Sequence, residues 1–175
     1  MVMNFTELDI TPIIKEICEN FTPLATAKHI QVTIDFKEED IHVIADKEAV
    51  IKMISNILGN AYKFCKDHVW ISTEIKNNEN MEMLSLRVSN DGIRIPKEKE
   101  EEIFKPFVQF YSNNIQSPIN GSGIGLSLIR SLAELTNGIF YLDTKIKDLN
   151  SFVLMLPIQR PTTAAEKTKE RSLPR

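Results

Sequence analysis

Apolar residues recur along this chain with two alternating periods, one helical and one extended. Ile13, Ile14, Ile17, Phe21 and Leu24 fall at helical spacing, so a helix is expected over residues 9–28. Asp9 or Thr11 can cap it, and Pro12 suits its first turn. Two short alternating runs follow at 30–36 and 41–45, separated by the acidic turn 37–40, and they read as a strand pair. Asp46 then caps a longer helix reaching about Phe64, with an apolar stripe of Val50, Ile54, Ile57, Leu58, Ala61 and Phe64. Strands are expected at 69–75 and 83–88, joined by the polar turn 76–80. Residues 89–122 break the pattern. They are rich in Gly, Asn, Ser and Pro, with one short helical piece near 96–104. A loop of that length inside a domain marks either function or disorder. A last helix is expected over 123–136, stopped by Asn137-Gly138, before strands at 139–143 and 152–156.

This order describes an α/β (α+β) two-layer sandwich, with a mixed, largely antiparallel five-stranded sheet packed against about three helices. Strict βα alternation is absent, which argues against a doubly wound nucleotide fold. The 175 residues suit one domain, expected over 1–158, with 159–175 a disordered tail or linker. Apolar residues make up 42% and charged ones 26%, as in ordinary globular chains, so no staple is needed. A net charge of −3 excludes the basic face of a nucleic-acid binder. It also means that a polyphosphate ligand must be held by local chemistry. Cys18 and Cys65 lack metal-ligand spacing and read as reduced thiols of a cytosolic protein. No apolar run approaches the roughly 20 residues that span a bilayer, and the N-terminus has no signal-peptide pattern.

The second helix carries the first candidate chemistry. Asn56 and Asn60 lie one turn apart and Lys63 three residues further, so the three share one face. Asparagine is a poor residue for a helix interior, and two on one face ask for a reason, although a solvated polar face is one. The glycine loops change the picture. The segment 89–96, Ser-Asn-Asp-Gly-Ile-Arg-Ile-Pro, follows a strand, and 121–126, Gly-Ser-Gly-Ile-Gly-Leu, leads into a helix. Glycines let backbone approach a ligand, and a helix N-terminus offers unpaired N–H groups to phosphate oxygens. Neither string is a Walker-type phosphate loop, and either alone fits a flexible turn equally well.

The four strings in order form a more specific signal: Asn56 to Phe64, Asn90 to Pro96, Phe104 to Phe107, and Gly121 to Leu126. Together they resemble the N box, first glycine box, F box and second glycine box of sensor histidine kinase catalytic domains. That family shares its ATP-binding fold with DNA gyrase, the Hsp90 chaperone and MutL. The resemblance covers about residues 5–158 and implies ATP and Mg²⁺ as ligands. It implies Asn60 as the metal ligand, Asn56 near the metal and γ-phosphate, and Lys63 with Tyr62 as phosphate contacts. Asn90, Gly92, Arg94 and Ile95 would line the base site. Residues 108–120 would form a flexible ATP lid, anchored by Phe104 and Phe107. Gly121, Ser122, Gly123, Ile124, Gly125 and Leu126 would hinge the lid and meet the phosphates. The chemistry implied is in-line transfer of the γ-phosphoryl to a histidine. The implied partners are a helical dimerisation and phosphoacceptor domain and a response-regulator receiver domain. Nucleic acid and direct membrane contact are not implied, and the isolated domain is expected to be monomeric.

The chain departs from the family pattern at three positions. Asn90 stands where an Asp normally accepts the adenine amino hydrogen bond; its carbonyl can still accept, or Asp91 takes over after a one-residue shift. Arg94 replaces the second glycine, must fit a backbone that Gly takes more easily, and would cover the base, reach a phosphate or point to solvent. Gln109 stands where many relatives carry an arginine. None of His29, His42 or His68 is followed by an acidic residue, so the phosphoacceptor is expected on a separate domain. The fit to one domain suggests a piece excised from a longer protein, the cytoplasmic portion of a membrane-anchored sensor. Other readings are an anti-sigma-factor-like serine kinase, a gyrase-type ATP-hydrolysing clamp, and a nucleotide-binding pseudokinase. The first two place a glutamate where Asn56 stands, which disfavours both.

Overall fold

In the computed structural model, which describes residues 3–108 and 123–158, the first expected helix is two. Helix α1 spans Ile10–Asn20 and α2 spans Thr22–Lys28. Asp9 is the cap, its carboxylate accepting the Thr11 N–H at 3.3 Å. The break falls at Phe21 because Pro23 has no N–H to give the Glu19 carbonyl, and its ring crowds that carbonyl. His29, in the left-handed region at φ 55, ends α2.

The expected pairing of 30–36 with 41–45 is not formed. Strand β1 (Thr6–Asp9) pairs antiparallel with β3 (His42–Ala45), while β2 (Gln31–Phe36) pairs in parallel with β4 (His68–Asn78). The short, mostly polar run of β1 gives no alternation signal, so β3's true partner is silent in the sequence. In the parallel register Val32 lies beside Val69. The two thereby join one apolar face, which a hairpin with β3 would not provide.

The main sheet has the order β2-β4-β5-β7-β6, with β5 Met81–Asn90, β6 Ile139–Leu142 and β7 Asn150–Pro157. Only the β2–β4 pair is parallel. Strands β4 and β5 run longer than expected and close through Glu79 and Asn80, both at positive φ (47 and 68). Two such residues match the twist of a tight hairpin.

Helices α1, α3 (Lys47–Phe64) and α4 (Gly125–Leu135) cover one face of this sheet. Asp46 caps α3, its carboxylate accepting the Ala49 N–H at 3.0 Å and the Asn4 N–H at 2.7 Å. Leu84, Leu86 and Val88 of β5 meet the α3 stripe of Ile54, Ile57 and Leu58 in the core. Each such buried side chain contributes about 1.5–3 kcal/mol through the water it leaves. Among the described residues, the opposite sheet face carries a small cluster of Met83, Val153 and Met155, beside the Arg87–Asp143 ion pair at 2.9 Å. Two layers result, with the helix termini of one layer free to build a site.

The piece expected near 96–104 is two single 3₁₀ turns, Lys97–Lys99 and Glu102–Phe104. Residues 109–122, which hold most of the lid expected at 108–120 together with Gln109, Gly121 and Ser122, and residues 159–175, expected as a tail, fall outside the described residues.

Candidate functional site

Helix α3 supplies the spine of the site. Asn56 and Asn60 sit one turn apart on the side that meets the start of α4. A β-carbon built on Gly125 would lie 3.3 Å from Asn56 Oδ1 and 3.8 Å from Asn60 Nδ2. The amide pair therefore faces Gly125 across a gap that one added carbon would fill. Asn56 is oriented by its own helix, its Nδ2 donating to the Lys52 carbonyl at 2.7 Å. That bond leaves its carbonyl oxygen toward Gly125.

The first glycine loop reaches the same helix at its C-terminal end. A β-carbon on Gly92 would collide with the Phe64 carbonyl oxygen and approach Asn90 Oδ1 at 2.9 Å. Only glycine lets the loop lie so close. Asn56 and Phe64 are about 12 Å apart along the axis at the helical rise of about 1.5 Å per residue. The two loops thus bracket one polar helical segment. Lys63 lies on it, its ammonium 5.2 Å from the centre of the Phe64 ring. The N-terminal N–H groups of α4 add the partial positive charge of a helix start.

Asn90 closes the row of β5 residues that faces the helices and is nearly buried. Its Oδ1 accepts the Gly92 N–H at 3.0 Å. Asp91 is engaged elsewhere. Its carboxylate accepts the N–H groups of Lys66, Asp67 and His68 at 2.9–3.2 Å, tying the loop to the start of β4. The one-residue shift that would give Asp91 the base is thereby disfavoured. Burial raises the Asp91 pKa, but the hydrogen bonds from His68, Asp67 and Lys66 outweigh it and hold the carboxyl below its ordinary value. Ionised Asp91 therefore stabilises the fold above an unfolded value of about 3.9, and that contribution is lost as pH falls through the lowered value. Asp91→Asn is expected to be less stable than the parent at pH 7 and to lose less stability between pH 5 and 3. Urea unfolding at both pH values measures this; parallel pH profiles would refute it.

Arg94 is held on backbone and does not simply stand in solvent. Its guanidinium donates to the carbonyls of Ile146 (2.7 Å), Leu149 and Thr144 (3.5 Å), in the link between β6 and β7. It is also absent from the residues with positive φ, so the backbone at this position does not require glycine. Asn150, which the sequence reading missed, completes the latch. Its Nδ2 donates to the Ile93 carbonyl and its Oδ1 accepts the Ile95 N–H, both at 2.8 Å. The only sequence signal was an amide at the first position of an apolar strand. Ile95 packs partly buried against the core.

The F box divides in two. Phe104 is buried, edge-on to Phe140 at 5.5 Å, with the Arg130 guanidinium 5.0 Å above its ring. Phe107 is not a buried anchor: its ring is 76% exposed and its backbone makes the contact, the N–H donating to the Gly123 carbonyl at 3.0 Å. Gly123 has φ 67, and a β-carbon there would come 2.9 Å from the Val108 carbonyl oxygen. The F box and second glycine loop are interlocked at this point. Ile124 is partly exposed ahead of α4, and Leu126 packs against the core.

Tyr62 does not join the site. It is buried on the core side of α3, stacked on Phe21 at 5.1 Å, and burial pushes its phenol up to about 12. The phosphate contact expected for it is corrected: Tyr62 follows the apolar stripe of its helix. Among the described residues no cluster of three or more His, Cys, Asp or Glu suits a metal ion.

A sandwich that brackets helix-borne amides between a strand-end glycine loop and a helix-opening glycine loop defines an ATP-binding domain distinct from the P-loop class. Residues 45–160 match the model of the histidine kinase-, DNA gyrase B-, and HSP90-like ATPases, and the chain belongs to that family. It is 27% identical over 153 residues to the adaptive-response sensory kinase SasA of Synechocystis, covering 87% of this chain and 39% of SasA. It is 30% identical over 166 residues to the sensor histidine kinase TmoS of Ectopseudomonas mendocina, covering 94% of this chain and 16% of TmoS. The chain thus spans well under half the length of these curated relatives. The catalytic domain of the histidine kinase ThkA has the same fold, with TM-score 0.73 at 24% identity, covering 89% of this chain and 98% of that domain. Full-length ShkA in complex with AMPPNP gives TM-score 0.75 at 19% identity, covering 93% of this chain and 33% of ShkA.

Proposed function

We propose that this chain is the ATP-binding catalytic domain of a sensor histidine kinase. It donates the γ-phosphoryl of ATP to a histidine on a separate helical dimerisation domain, from which a response-regulator receiver domain is served. The observation that carries this reading is the approach of Asn56 and Asn60 to Gly125, close enough that a β-carbon there would meet both, on the helix whose far end receives Gly92.

The residue chemistry fits the roles. Asn60 offers a neutral amide oxygen, which suits Mg²⁺ because that ion keeps several waters and takes few protein ligands. When bound, the ion would neutralise charge on the phosphate oxygens. Asn56, held by the Lys52 carbonyl, orients the polar groups beside it. The N–H groups opening α4, beside Asn56 and Asn60, draw the phosphate chain, and Lys63 adds positive charge on the same polar side of the helix. Asn90, with the loop latched by Arg94 and Asn150, faces the base. The phosphorus–oxygen bond to the leaving ADP breaks as a phosphorus–nitrogen bond to the histidine forms. Positioning and charge carry most of such a reaction. No general base is required of Asn56, and an amide could not serve as one for water at neutral pH.

The proposed setting is the cytoplasm, as part of a membrane-anchored sensor. Among the described residues no helix is long and apolar enough to cross a membrane. The test is transfer in trans, with ATP labelled on the γ-phosphate and a related kinase's helical hairpin carrying a His-Glu pair. Acid-labile phosphohistidine is expected on the hairpin, and none on this chain alone. Tight ATP binding with no transfer to any hairpin would leave a binding module in place of a kinase.

A further inference from the structure

Arg130, on α4, holds two residues of the segment that leads into the F box. Its guanidinium lies 5.0 Å above the Phe104 ring, and its Nη1 donates to Glu101 Oε2 at 2.9 Å. Glu134, one turn further along the same helix, approaches Nε at 3.9 Å. Phe104 is thereby held from two directions, by this cation and by the Phe140 ring of β6. A second tie joins the same two segments, the Phe107 N–H donating to the Gly123 carbonyl at 3.0 Å. Gly123 precedes α4, whereas Arg130 lies about 7.5 Å along the helix from Gly125, at about 1.5 Å per residue. One tie would leave a pivot. Two ties so spaced fix both the place and the tilt of α4 against the F box.

Stability does not account for the arrangement. The Glu101 side chain is 76% exposed and that of Arg130 38%, and ion pairs between such groups add little to folding. What the pair does set is geometry. Helix α4 opens at Gly125, where one added carbon would meet Asn56 and Asn60. Any tilt of α4 therefore moves its first N–H groups against those amides. A misplacement of about 1 Å can cost on the order of 100-fold in rate. We propose that Arg130 is a positioning residue for phosphoryl transfer, clamping the F box on α4 so that the opening turn of α4 keeps its place beside Asn56 and Asn60. The proposal rests on the kinase reading above and adds to it a residue that acts through α4.

Arg130→Met is the test, since methionine keeps the aliphatic stem and the helix preference but removes the charge. With labelled ATP and a related kinase's hairpin, the transfer rate at saturating ATP should fall about tenfold. The melting midpoint should stay within about 2 °C of the parent's. Arg130→Lys returns a cation to Phe104 and Glu101, and it should recover at least about threefold of the lost rate. Glu101→Gln should lower the rate less, and should add nothing to Arg130→Met. A saturating rate for Arg130→Met within about twofold of the parent overturns the proposal, and so does a lysine variant no faster than methionine. Glu101→Gln decides where Arg130→Met fails to fold, because its site is exposed; parent-like transfer there overturns the proposal too. No transfer by the parent chain to any hairpin sinks the kinase reading itself, and this proposal with it.

Discussion

Alanine at Gly92 is expected to lower the thermal unfolding midpoint by about 3–10 °C and to weaken nucleotide binding at least about tenfold. The added methyl would occupy the place of the Phe64 carbonyl oxygen and crowd Asn90 Oδ1 at 2.9 Å. Backbone lies on both sides of the conflict, so no side chain can swing away to relieve it. Overpacking of this kind costs about 1–3 kcal/mol, and the loop is the softer partner. Lifting the loop from α3 would also break the Asn90–Gly92 bond that fixes the amide. Binding should therefore suffer beyond what lost stability alone explains. Gly59 gives the control on the same helix. A β-carbon there meets only the rim of the Phe21 ring at 4.0 Å, so Gly59→Ala should be neutral or stabilising by up to about 1 kcal/mol. Circular dichroism melts and nucleotide titrations of the two variants give the comparison. A Gly92→Ala chain that melts and binds like the parent would remove the steric basis for the loop's position.

Local signals made much of this fold readable. The Asp46 cap and the Asn137 stop act within a few residues of themselves and stand where the pattern puts them, and the α3 stripe holds from Val50 to Ala61 but not at Phe64, which lies 42% exposed at the helix end. Pairing between distant strands was less readable. Strand β1 is four residues with one apolar side chain, and nothing local says that Leu8 will lie opposite Val43. Helical spacing makes Phe21 one more apolar position of a long helix, yet Pro23 ends that helix by removing a donor.

The site divides along the same line. Helical spacing placed Asn56, Asn60 and Lys63 together, because the period of a helix is fixed. The same period sets Tyr62 on the other face with the apolar stripe, against the phosphate contact that the resemblance implies for it. Arg94 and Asn150 are not legible as a pair because they bond across 50–57 residues of chain to backbone groups. Backbone acceptors leave no trace in side-chain identity. An arginine in a glycine position therefore looked anomalous, although its head simply caps the carbonyls of a neighbouring link.

Asn60→Ala should leave the fold intact while removing most of the chain's activity toward nucleotide. Within the helix, alanine is favoured over asparagine by up to about 0.7 kcal/mol, so the melting midpoint should hold or rise slightly. In the proposed site, the same change deletes the amide oxygen offered to Mg²⁺. Loss of an outer ligand partner costs about 10–100-fold in affinity, and a direct ligand should reach the upper end. Phosphotransfer to an added hairpin should fall further, by roughly 100–1,000-fold, as for deletion of one charge-stabilising group. Stability gained where function is lost is the mark of a residue kept for chemistry. Asn60→Asp refines the point, since a carboxylate keeps an oxygen for the cation but repels phosphate, and it should retain more Mg²⁺-dependent binding than alanine. The readouts are the melt and ATP titrations with and without Mg²⁺. Should Asn60→Ala bind ATP in Mg²⁺ as tightly as the parent, the amide pair would be no more than a polar helix face resting on Gly125.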